Sequence, residues 1–326
     1  MRQSFPSRAL IVGSGSIAVR HARNLLGLGV SEIVVLSSRG ASAEEAFSDS
    51  RIVVARQIPA DCPPIAIVAT DTSKHIAIAR ELVGAGAHVL IEKPIANENS
   101  HDIVLLAQEA ESAGLCVRVA YNMRFLGAIR KVIQSVTENA IGQLAFARIE
   151  AGQWLPDWRP NRDYREGYSA SSSRGGGVGL DLSHDLDYML AIFGMPVTWK
   201  TLRTRTGMLK IASEDVFEGI YSYSNGGIVS VHLDYLEKAP RRVLRILGHD
   251  GSVECDLIGR RLTVDSVHGL SVFEDDQMFD MGGTYIAELT SFIAETQGGP
   301  HLLPTIEDGL NVLRLLNDSR KGASHV

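Results

Sequence analysis

Short apolar runs alternate with amphipathic stretches over the first 120 residues. Stretches with helical spacing, such as residues 75–86 and 102–114, lie between several of the runs. Continuous apolar strands separated by helices are typical of a parallel sheet that is covered on both faces. The pattern predicts a doubly wound Rossmann-type α/β domain over residues 1–120. The strand-sized runs are ALIV (9–12), EIVVL (32–36), IVVA (52–55), IAIVA (65–69), HVLI (88–91) and CVRVA (116–120).

From residue 121 onward the pattern changes to longer alternating segments. Residues 124–136 predict one amphipathic helix, and the segments at 226–236, 242–248 and 252–259 alternate apolar and polar positions between glycine-containing turns. Such segments are typical of an antiparallel sheet with one solvated face. The second domain is therefore predicted over residues 121–326, as an α+β domain with a large, open, mainly antiparallel sheet.

The last part of the chain returns to helical spacing. Helices are predicted at 284–296 and 305–316, and Thr305 and Asp308 have the spacing of a capping box at the start of the second one. We expect the final helices, over residues 284–319, to pack back towards the first domain.

Composition narrows the class of protein. The 326 residues are 45% hydrophobic and 21% charged, with a net charge of −6 and no run rich in lysine or arginine, which argues against nucleic acid or an anionic membrane as a partner. The apolar runs are too short to span a bilayer, and the first residues lack the apolar stretch of a signal peptide. The three cysteines have neither metal-ligand nor redox spacing. We therefore expect a cytoplasmic protein that binds no metal.

The first predicted strand runs into a glycine-rich turn, GSGSIAVRH (13–21). Gly13, Gly15 and Ala18 fit the G-x-G-x-x-G/A pattern, in which the glycines allow a tight turn and the close approach of a diphosphate to a helix N-terminus. The pattern follows a strand, opens a helix and heads a six-strand series, which is the context it requires. We predict a dinucleotide site that includes Gly13, Gly15, Ser16 and Ile17. A purely structural turn is the alternative.

The end of the second predicted strand bears on which dinucleotide binds. It reads LSSRG (36–40), so that Ser37, Ser38 and Arg39 stand where an NAD-specific protein has a carboxylate for the ribose 2′-hydroxyl. Hydroxyls and a guanidinium suit a 2′-phosphate instead. NADP is the predicted cofactor, and NAD is the alternative if Arg39 lies solvated on a loop.

The stretch IEKPIA (91–96) begins at the last residue of an apolar strand, and the charged residues Glu92 and Lys93 follow directly. Lys93 is expected at the carboxyl end of that strand, where open α/β sheets bind their ligands. Pro94 is expected to fix the turn, and a cis bond is one means of doing so. The alternative is a surface lysine paired with Glu92.

The stretch RGGGVGLDLSHDLDYMLAIFG (174–194) combines three glycines with a crowded set of polar groups. Asp181, His184, Asp185 and Asp187 lie within two turns of one predicted helix, so Asp181 is expected to share a face with His184 and Asp185. Acids among apolar residues cost free energy unless they are paired or used. The alternative is a helix N-terminus that acids stabilise.

Together these stretches resemble the Gfo/Idh/MocA oxidoreductases, the glucose-fructose oxidoreductase and inositol dehydrogenase group. The resemblance runs from GSGSIAVRH (13–21) through VATDTSKH (68–75), GAHVLIEKPIA (86–96), YNMRF (121–125) and the triple-glycine helix to NGG (225–227) and the last two helices. It implies a second domain whose open sheet builds oligomers, so a homodimer or homotetramer is expected. It also implies a catalytic Lys93 and cofactor contacts at Thr70, His75, Glu92, Lys93 and Pro94.

The family pattern has an aspartate and a histidine four residues apart after the glycines, and this chain departs from it. Asp181 matches the aspartate, but Asp185 stands four residues on, and the histidine comes one residue early, at His184. Either a one-residue shortening lets His184 carry the proton, or Asp185 replaces it. The spacing from His184 to Asp187 also matches the family and favours His184. The catalytic candidates are therefore Lys93, Asp181, His184 and Asp185.

Substrate contacts are expected from two stretches. Residues 152–177 lead into the predicted catalytic helix, and they offer aromatic rings beside guanidinium groups, which suit a sugar face with a carboxylate or phosphate. Aromatics tucked under a surface loop are the alternative. Residues 121–125 match positions at which the family often contacts substrate. The candidates are Tyr121, Asn122, Arg124, Trp154, Arg159, Arg162 and Tyr164.

The predicted function is hydride transfer between NAD(P) and a hydroxyl or ketone carbon of a sugar, amino sugar or nucleotide sugar. Lys93 and His184 are the expected proton carriers, and Asp181 is expected to orient or charge-stabilise them. One alternative is a reductase of a non-sugar carbonyl or imine with the same fold. Another is a dinucleotide-sensing regulator without chemistry, which Lys93, Asp181 and His184 argue against because a sensor needs only the glycine turn.

Overall fold

The computed structural model describes residues 5–38 and 41–317. The chain forms two compact units and passes between them three times. The first unit contains the residues up to Asn122 together with Gly282–Leu310, and the second contains Met123–Met281 and the residues from Asn311 onward.

The helices and strands follow one another in an order that changes after the sixth strand, where strands no longer alternate with helices. The strands are β1 (Arg8–Val12), β2 (Glu32–Leu36), β3 (Ile52–Ala55), β4 (Ile65–Val68), β5 (His88–Glu92), β6 (Val117–Ala120), β7 (Leu144–Gly152), β8 (Thr198–Thr204), β9 (Val216–Ser222), β10 (Ile228–Asp234), β11 (Arg241–Gly248), β12 (Ser252–Asp256), β13 (Arg261–Ser266) and β14 (Gly269–Phe273). The α-helices are α1 (Ser16–Gly27), α2 (Ala41–Ala46), α3 (His75–Gly84), α4 (His101–Ala113), α5 (Gly127–Thr137), α6 (Val178–Asp181), α7 (His184–Phe193), α8 (Met281–Thr296) and α9 (Ile306–Leu315).

The first unit is built on a parallel sheet of six strands in the order β3-β2-β1-β4-β5-β6. Every residue of β4 is buried, as a central strand requires when helices cover both faces of a sheet. The chain crosses to the other side of β1 after β3, so the strand order reverses between β1 and β4. This is the doubly wound arrangement that the sequence predicts, and β2 and β3 coincide with the apolar runs at 32–36 and 52–55.

Two helix ends in this unit follow local sequence rules. Gly114 ends α4 with φ of +65°, the left-handed conformation that glycine adopts without strain. At the start of α9, the Asp308 side chain accepts the Thr305 N–H at 2.8 Å, and the Thr305 hydroxyl accepts the Asp308 N–H at 3.1 Å. The predicted capping box is confirmed.

The second unit is built on an eight-stranded sheet in the order β14-β13-β12-β11-β7-β10-β9-β8. Its neighbours are antiparallel except β7 and β10, which run parallel. Buried and accessible residues alternate along β9 and β10, so one face carries the core and the other faces outward. On the inner face, α6 packs on β9 and β10, and α5 packs on β12. The prediction of a large, mainly antiparallel sheet is confirmed.

Among the predicted helices, one begins three residues later than expected and another is interrupted. The helix predicted from residue 124 begins at Gly127, because Asn122–Phe125 form a 3-10 turn and Leu126 is extended, with ψ of 126°. The helix predicted after the triple glycine is interrupted, since Leu182 has ψ of +23° between α6 and α7. The prediction of one continuous helix over this segment is wrong.

In the part of the chain that the structure describes, no helix is both long and apolar enough to cross a membrane.

Candidate active site

The glycine turn follows β1 and leads into α1. Gly13 has φ of +127°, and a Cβ there would lie 2.1 Å from the Ala69 carbonyl oxygen, so only glycine fits beside the end of β4. Gly15 is the N-cap of α1, and a Cβ there would meet nothing within 4 Å. The first N–H groups of a helix, here those of Ser16 and Ile17, have no intrahelical acceptor. The open space and these donors fit a diphosphate.

The residues after β2 lie beside this turn. Ser37 is buried, and its hydroxyl donates to the Ser14 hydroxyl at 2.9 Å, which ties the end of β2 to the glycine turn. Ser38 is exposed. Arg39, the third residue predicted to contact a 2′-phosphate, lies outside the described residues. The structure therefore gives Ser37 a bond within the turn and presents Ser38 to solvent.

A histidine of α1 holds the Glu92–Lys93–Pro94 turn at the end of β5. His21 Nε2 lies 2.7 Å from Glu92 Oε1, and Glu92 Oε2 accepts the Lys93 backbone N–H at 3.2 Å. Glu92 and Pro94 are buried, whereas Lys93 is partly exposed, and the Lys93–Pro94 peptide bond is cis. Glu92, a predicted cofactor contact, is thus bonded to α1 and to the backbone of its own turn.

A second histidine, from α3, contacts the same turn. His75 Nδ1 lies 3.0 Å from the Pro94 carbonyl oxygen, and its Nε2 lies 3.2 Å from the Thr70 carbonyl oxygen. Burial lowers the pKa of His75 and outweighs the opposite effect of the two carbonyls. A neutral imidazole carries one N–H, so the ring donates to one carbonyl at a time. His75 therefore links the segments that follow β4 and β5.

The predicted dinucleotide residues of the first unit share one edge of its sheet. β1 leads into Gly13, β4 leads towards Thr70 and β5 leads into Lys93, and these three strands are neighbours. The strand order reverses between β1 and β4, and doubly wound sheets bind their ligands at the carboxyl ends of the strands beside such a reversal. An ammonium group at this edge can exchange a proton with a ligand bound there.

Asp181 is the last residue of α6 in the second unit, and it is 3% exposed. Its carboxylate accepts a hydrogen bond from the Tyr235 hydroxyl at 2.5 Å, and Tyr168 interacts with the same carboxylate. Burial, together with the charge of Asp181, raises the pKa of both tyrosines, so they stay protonated. His184 opens α7 and is partly exposed. Because the helix breaks between Asp181 and His184, the predicted shared helix face is not formed.

The two other aspartates of this segment are fully buried, and each has an arginine partner. Arg242 Nε donates to Asp185 at 3.1 Å, a second guanidinium nitrogen also bonds to Asp185, and the Tyr188 hydroxyl bonds to the same carboxylate. Arg124 donates to both oxygens of Asp187, at 2.9 and 2.8 Å. Asp185, a predicted catalytic residue, and Arg124, a predicted substrate contact, are therefore engaged in buried ion pairs.

Three of the predicted substrate contacts meet in the segment between β7 and α6. They line a cavity of about 20 Å³, which is the size of a water site and too small for a sugar ring. Within the same segment, the Trp154 ring lies under the Lys238 ammonium nitrogen, which is 2.8 Å from the ring centroid. The residues that line the cavity are Leu155, Trp158, Arg159, Arg162, Asp163, Tyr164, Gly167 and Ser169.

The remaining predicted substrate contacts lie in the first unit and are buried. Tyr121 is 0% exposed and Asn122 is 2% exposed. The Asn122 side-chain amide donates to the Thr284 hydroxyl at 2.6 Å. Their burial favours a role in packing over direct contact with a substrate.

Three residues of the second unit are missing from the predicted set, and these are Tyr168, Tyr235 and Glu214. The Glu214 carboxylate lies against Gly177, where a Cβ would be 2.4 Å from Glu214 Oε1, and burial raises the pKa of this acid. Tyr235 continues the inward alternation of β10 and is 0% exposed. A tyrosine at an inward position needs a partner for its hydroxyl, and this signal could have identified it from the sequence.

Residues 5–38 and 41–317 contain no group of three or more His, Cys, Asp or Glu side chains placed to hold a metal ion.

Comparison with protein-family models finds matches over most of the chain. Residues 7–121 match the model GFO_IDH_MocA, described as an oxidoreductase family with an NAD-binding Rossmann fold. Residues 129–254 match the GFO/IDH/MocA C-terminal domain. The first match covers the six-stranded sheet, and the second covers β7 to β11 and the start of β12.

Similar proteins include sugar and inositol oxidoreductases. The chain is 27% identical over 256 residues to 1,5-anhydro-D-fructose reductase of Ensifer adhaerens, which covers 74% of this chain and 72% of the relative. It is 22% identical over 309 residues to the NADP(+) scyllo-inositol 2-dehydrogenase of Bacillus subtilis, covering 86% and 83%. The solved structure of levoglucosan dehydrogenase with NADH and levoglucosan superposes with a TM-score of 0.79 at 19% identity, over 94% of each chain. At that identity, the structural match shows the fold.

Proposed function

The chain belongs to the Gfo/Idh/MocA oxidoreductase family, and from this premise we propose that it transfers a hydride between a nicotinamide dinucleotide and a hydroxyl or ketone carbon of a cyclic sugar or sugar derivative. The observation that carries the proposal is the sheet edge of the first unit. There the open glycine turn, which fits a diphosphate, follows β1, and the partly exposed Lys93 follows β5. Both strands are neighbours of β4. The relatives named above act on or bind cyclic polyhydroxy compounds, which supports the substrate class.

The proposed reaction needs a proton at the oxygen of the reacting carbon. When bound, the dinucleotide supplies or accepts the hydride. Lys93 and His184 are the proposed proton carriers, because both are partly exposed while Asp185 is buried in its pair with Arg242. Asp181 is proposed to orient and charge-stabilise the proton carriers. A carboxylate favours the charged form of a nearby cation.

NADP is the proposed cofactor. A carboxylate at the end of β2 would repel a 2′-phosphate, and this chain has serine, serine and arginine there. Because the Ser37 hydroxyl bonds within the glycine turn, Ser38 and Arg39 are proposed to determine the preference for NADP over NAD. The relatives divide on this point, since the inositol dehydrogenase uses NADP(+) and the levoglucosan dehydrogenase structure contains NADH.

We also propose that the chain forms a homodimer or homotetramer through the outer face of its second sheet. Leu247, Phe146 and Ile228 are direct neighbours across β11, β7 and β10, and they are 37%, 38% and 46% exposed. An exposed apolar row of this kind marks an interaction surface. Arg148 and Glu150 continue the same face of β7 with charges of both signs. A face that carries both charges is complementary to a second copy of itself.

The test is a turnover assay of the purified chain. We expect oxidation of at least one member of a panel of cyclic polyols, sugars and nucleotide sugars, followed by the absorbance of the reduced dinucleotide with NADP⁺ and with NAD⁺. Lys93→Met should lower turnover by roughly 100-fold or more while dinucleotide affinity stays nearly unchanged. Lys74→Met is the matched control, because Lys74 is an exposed lysine of the same unit.

Two outcomes would contradict the proposal. Full turnover by Lys93→Met would remove Lys93 from the reaction. Tight dinucleotide binding by the wild type, without turnover of any panel member in either direction, would favour the dinucleotide-sensing alternative.

A further inference from the structure

Asp181 lies at the meeting point of two tyrosines that come from different parts of the second unit. Tyr235 follows β10 and is 0% exposed, and its backbone N–H donates to the Asp215 carbonyl oxygen at 3.0 Å. Tyr168 lies in the 3-10 turn Tyr168–Ala170, within the segment between β7 and α6. The Tyr235 hydroxyl donates to the Asp181 carboxylate at 2.5 Å, and Tyr168 interacts with the same carboxylate. Asp181 is thus contacted by Tyr235, which follows a strand of the sheet, and by Tyr168, which lies in a loop.

The Tyr235 hydroxyl offsets part of the cost of burying the carboxylate. Taking a carboxylate out of water without donors drives it towards its protonated form. Hydrogen bonds from O–H groups to a carboxylate are charge-assisted, short and roughly twice as strong as neutral ones, and the 2.5 Å bond from Tyr235 is of this kind. The raised pKa of each tyrosine means that both hydroxyls stay protonated above neutral pH.

Both tyrosines are themselves fixed in place. The Trp158 ring packs edge-on against the Tyr235 ring, with centroids 5.3 Å apart at 90°. The Arg159 guanidinium lies over the Tyr168 ring at 5.8 Å. A Cβ at Gly176 would lie 2.1 Å from the Tyr168 carbonyl oxygen, so the triple glycine lets this loop approach α6 closely. Arg159 therefore contacts Tyr168, and Tyr168 in turn interacts with Asp181.

We propose that Tyr235 and Tyr168 are positioning residues that hold the Asp181 carboxylate in one orientation. Tyr168 also contacts Arg159, so a movement of the loop that carries Arg159 would change the position of Tyr168 beside that carboxylate. The inference rests on the proposed function only in taking Asp181 as a group of the reaction. The bonds themselves are properties of the second unit alone.

The first test is the pH profile of kcat/KM for Tyr235→Phe. Losing one O–H donor favours the protonated carboxyl group, so the acidic limb of the profile should move to higher pH, and kcat should fall roughly 10- to 100-fold, as for loss of a hydrogen bond to a charged group. KM for the sugar should change little. Tyr168→Phe should shift the same limb and also raise KM, because its loop carries Arg159.

Tyr221→Phe is the matched control. Tyr221 is also 0% exposed and loses the same hydroxyl, but that hydroxyl donates to the Leu315 carbonyl oxygen at 2.9 Å instead of to a carboxylate. Its pH profile should superpose on that of the wild type. If Tyr235→Phe and Tyr168→Phe also superpose on the wild type, or if all three variants lose activity only in proportion to their stability, the inference is overturned.

The second test needs no activity. A double-mutant cycle of Tyr235→Phe and Asp181→Ala, read by urea unfolding, should be non-additive by roughly 10-fold in the unfolding equilibrium constant. Additive effects would overturn the inference, whether or not a substrate is known. If the wild type turns over no sugar while the cycle is non-additive, the proposed function fails and the tyrosine contacts with Asp181 stand. If Tyr235→Phe does not fold, the cycle with Tyr168→Phe decides.

Discussion

The two glycines of the turn after β1 offer a test that separates a structural glycine from a ligand-binding one. Gly13 has φ of +127°, and a Cβ there would lie 2.1 Å from the Ala69 carbonyl oxygen. Gly15 has φ of −81°, and a Cβ there would meet no atom within 4 Å. Substitution by alanine should therefore lower stability and binding at Gly13, and binding alone at Gly15.

Gly13→Ala is expected to damage the fold. Forcing an alanine into this conformation costs about 1–3 kcal/mol, and an overlap with a backbone oxygen that cannot swing away costs about 1–3 kcal/mol more. The sum of about 2–6 kcal/mol is a large part of the roughly 5–15 kcal/mol that stabilises a typical protein. Dinucleotide binding should be lost together with stability, because the displaced turn forms the site.

Gly15→Ala is expected to damage binding alone. The N-cap position favours glycine over alanine by up to about 1 kcal/mol, so the fold should be nearly as stable as the wild type. The added methyl group occupies the space proposed for the diphosphate, and overpacking of about 1–3 kcal/mol corresponds to a loss of roughly 5- to 150-fold in affinity.

Urea unfolding and a fluorescence titration with NADPH measure the two quantities separately. A Gly15→Ala variant that binds NADPH as tightly as the wild type would show that this turn does not seat a diphosphate. A Gly13→Ala variant with unchanged unfolding free energy would refute the close approach of the turn to the end of β4.

Three further predictions address the cofactor, the outer sheet face and its charges. NADPH should quench the intrinsic fluorescence at lower concentration than NADH, and equal or reversed affinities would contradict the interpretation of Ser38 and Arg39. Phe146→Glu should convert the oligomer to a monomer in light scattering, and a wild type that is already monomeric would contradict the proposed interface. Bonds to Asp234 and Glu218 raise the pKa of His232 to about 9, above the value of about 6.5 for an unfolded chain. Protonated His232 therefore stabilises the fold below about pH 6.5, and this contribution is lost as the pH rises through about 9. His232→Gln should lower the unfolding free energy by about 1–2 kcal/mol near pH 6, reduced from the full linkage value because the side chain is partly exposed, and by much less near pH 10. An equal loss at both pH values, measured in the Phe146→Glu background, would refute the role of this charge.

The features that local sequence rules predicted best are those whose cause lies within a few residues. The apolar runs at 32–36 and 52–55 became β2 and β3 without a change of bounds, and the capping box of Thr305 and Asp308 formed as its spacing requires. Strand periodicity, glycine turns and helix caps depend on neighbours along the chain, so one sequence contains the information needed to recognise them.

The assignment of the acids after the triple glycine could not be made in this way. The sequence left His184 and Asp185 open as alternatives, and it does not show that Asp185 pairs with Arg242, which lies 57 residues away. A helical spacing rule also failed here, because the chain leaves the helix at Leu182. No local pattern records which distant arginine a carboxylate will meet.

The sequence by itself thus determined the two kinds of sheet, the glycine turn and the placement of Lys93 after β5. Only the tertiary structure decided which polar groups pair with one another: His21 with Glu92, Arg124 with Asp187, and Tyr235 with an aspartate 54 residues away. The physical reason is the separation along the chain between the residues that determine each feature. Periodicity is set by backbone geometry that repeats every two or 3.6 residues, whereas the partner of a buried charge is chosen by packing between segments that come together only when the chain folds.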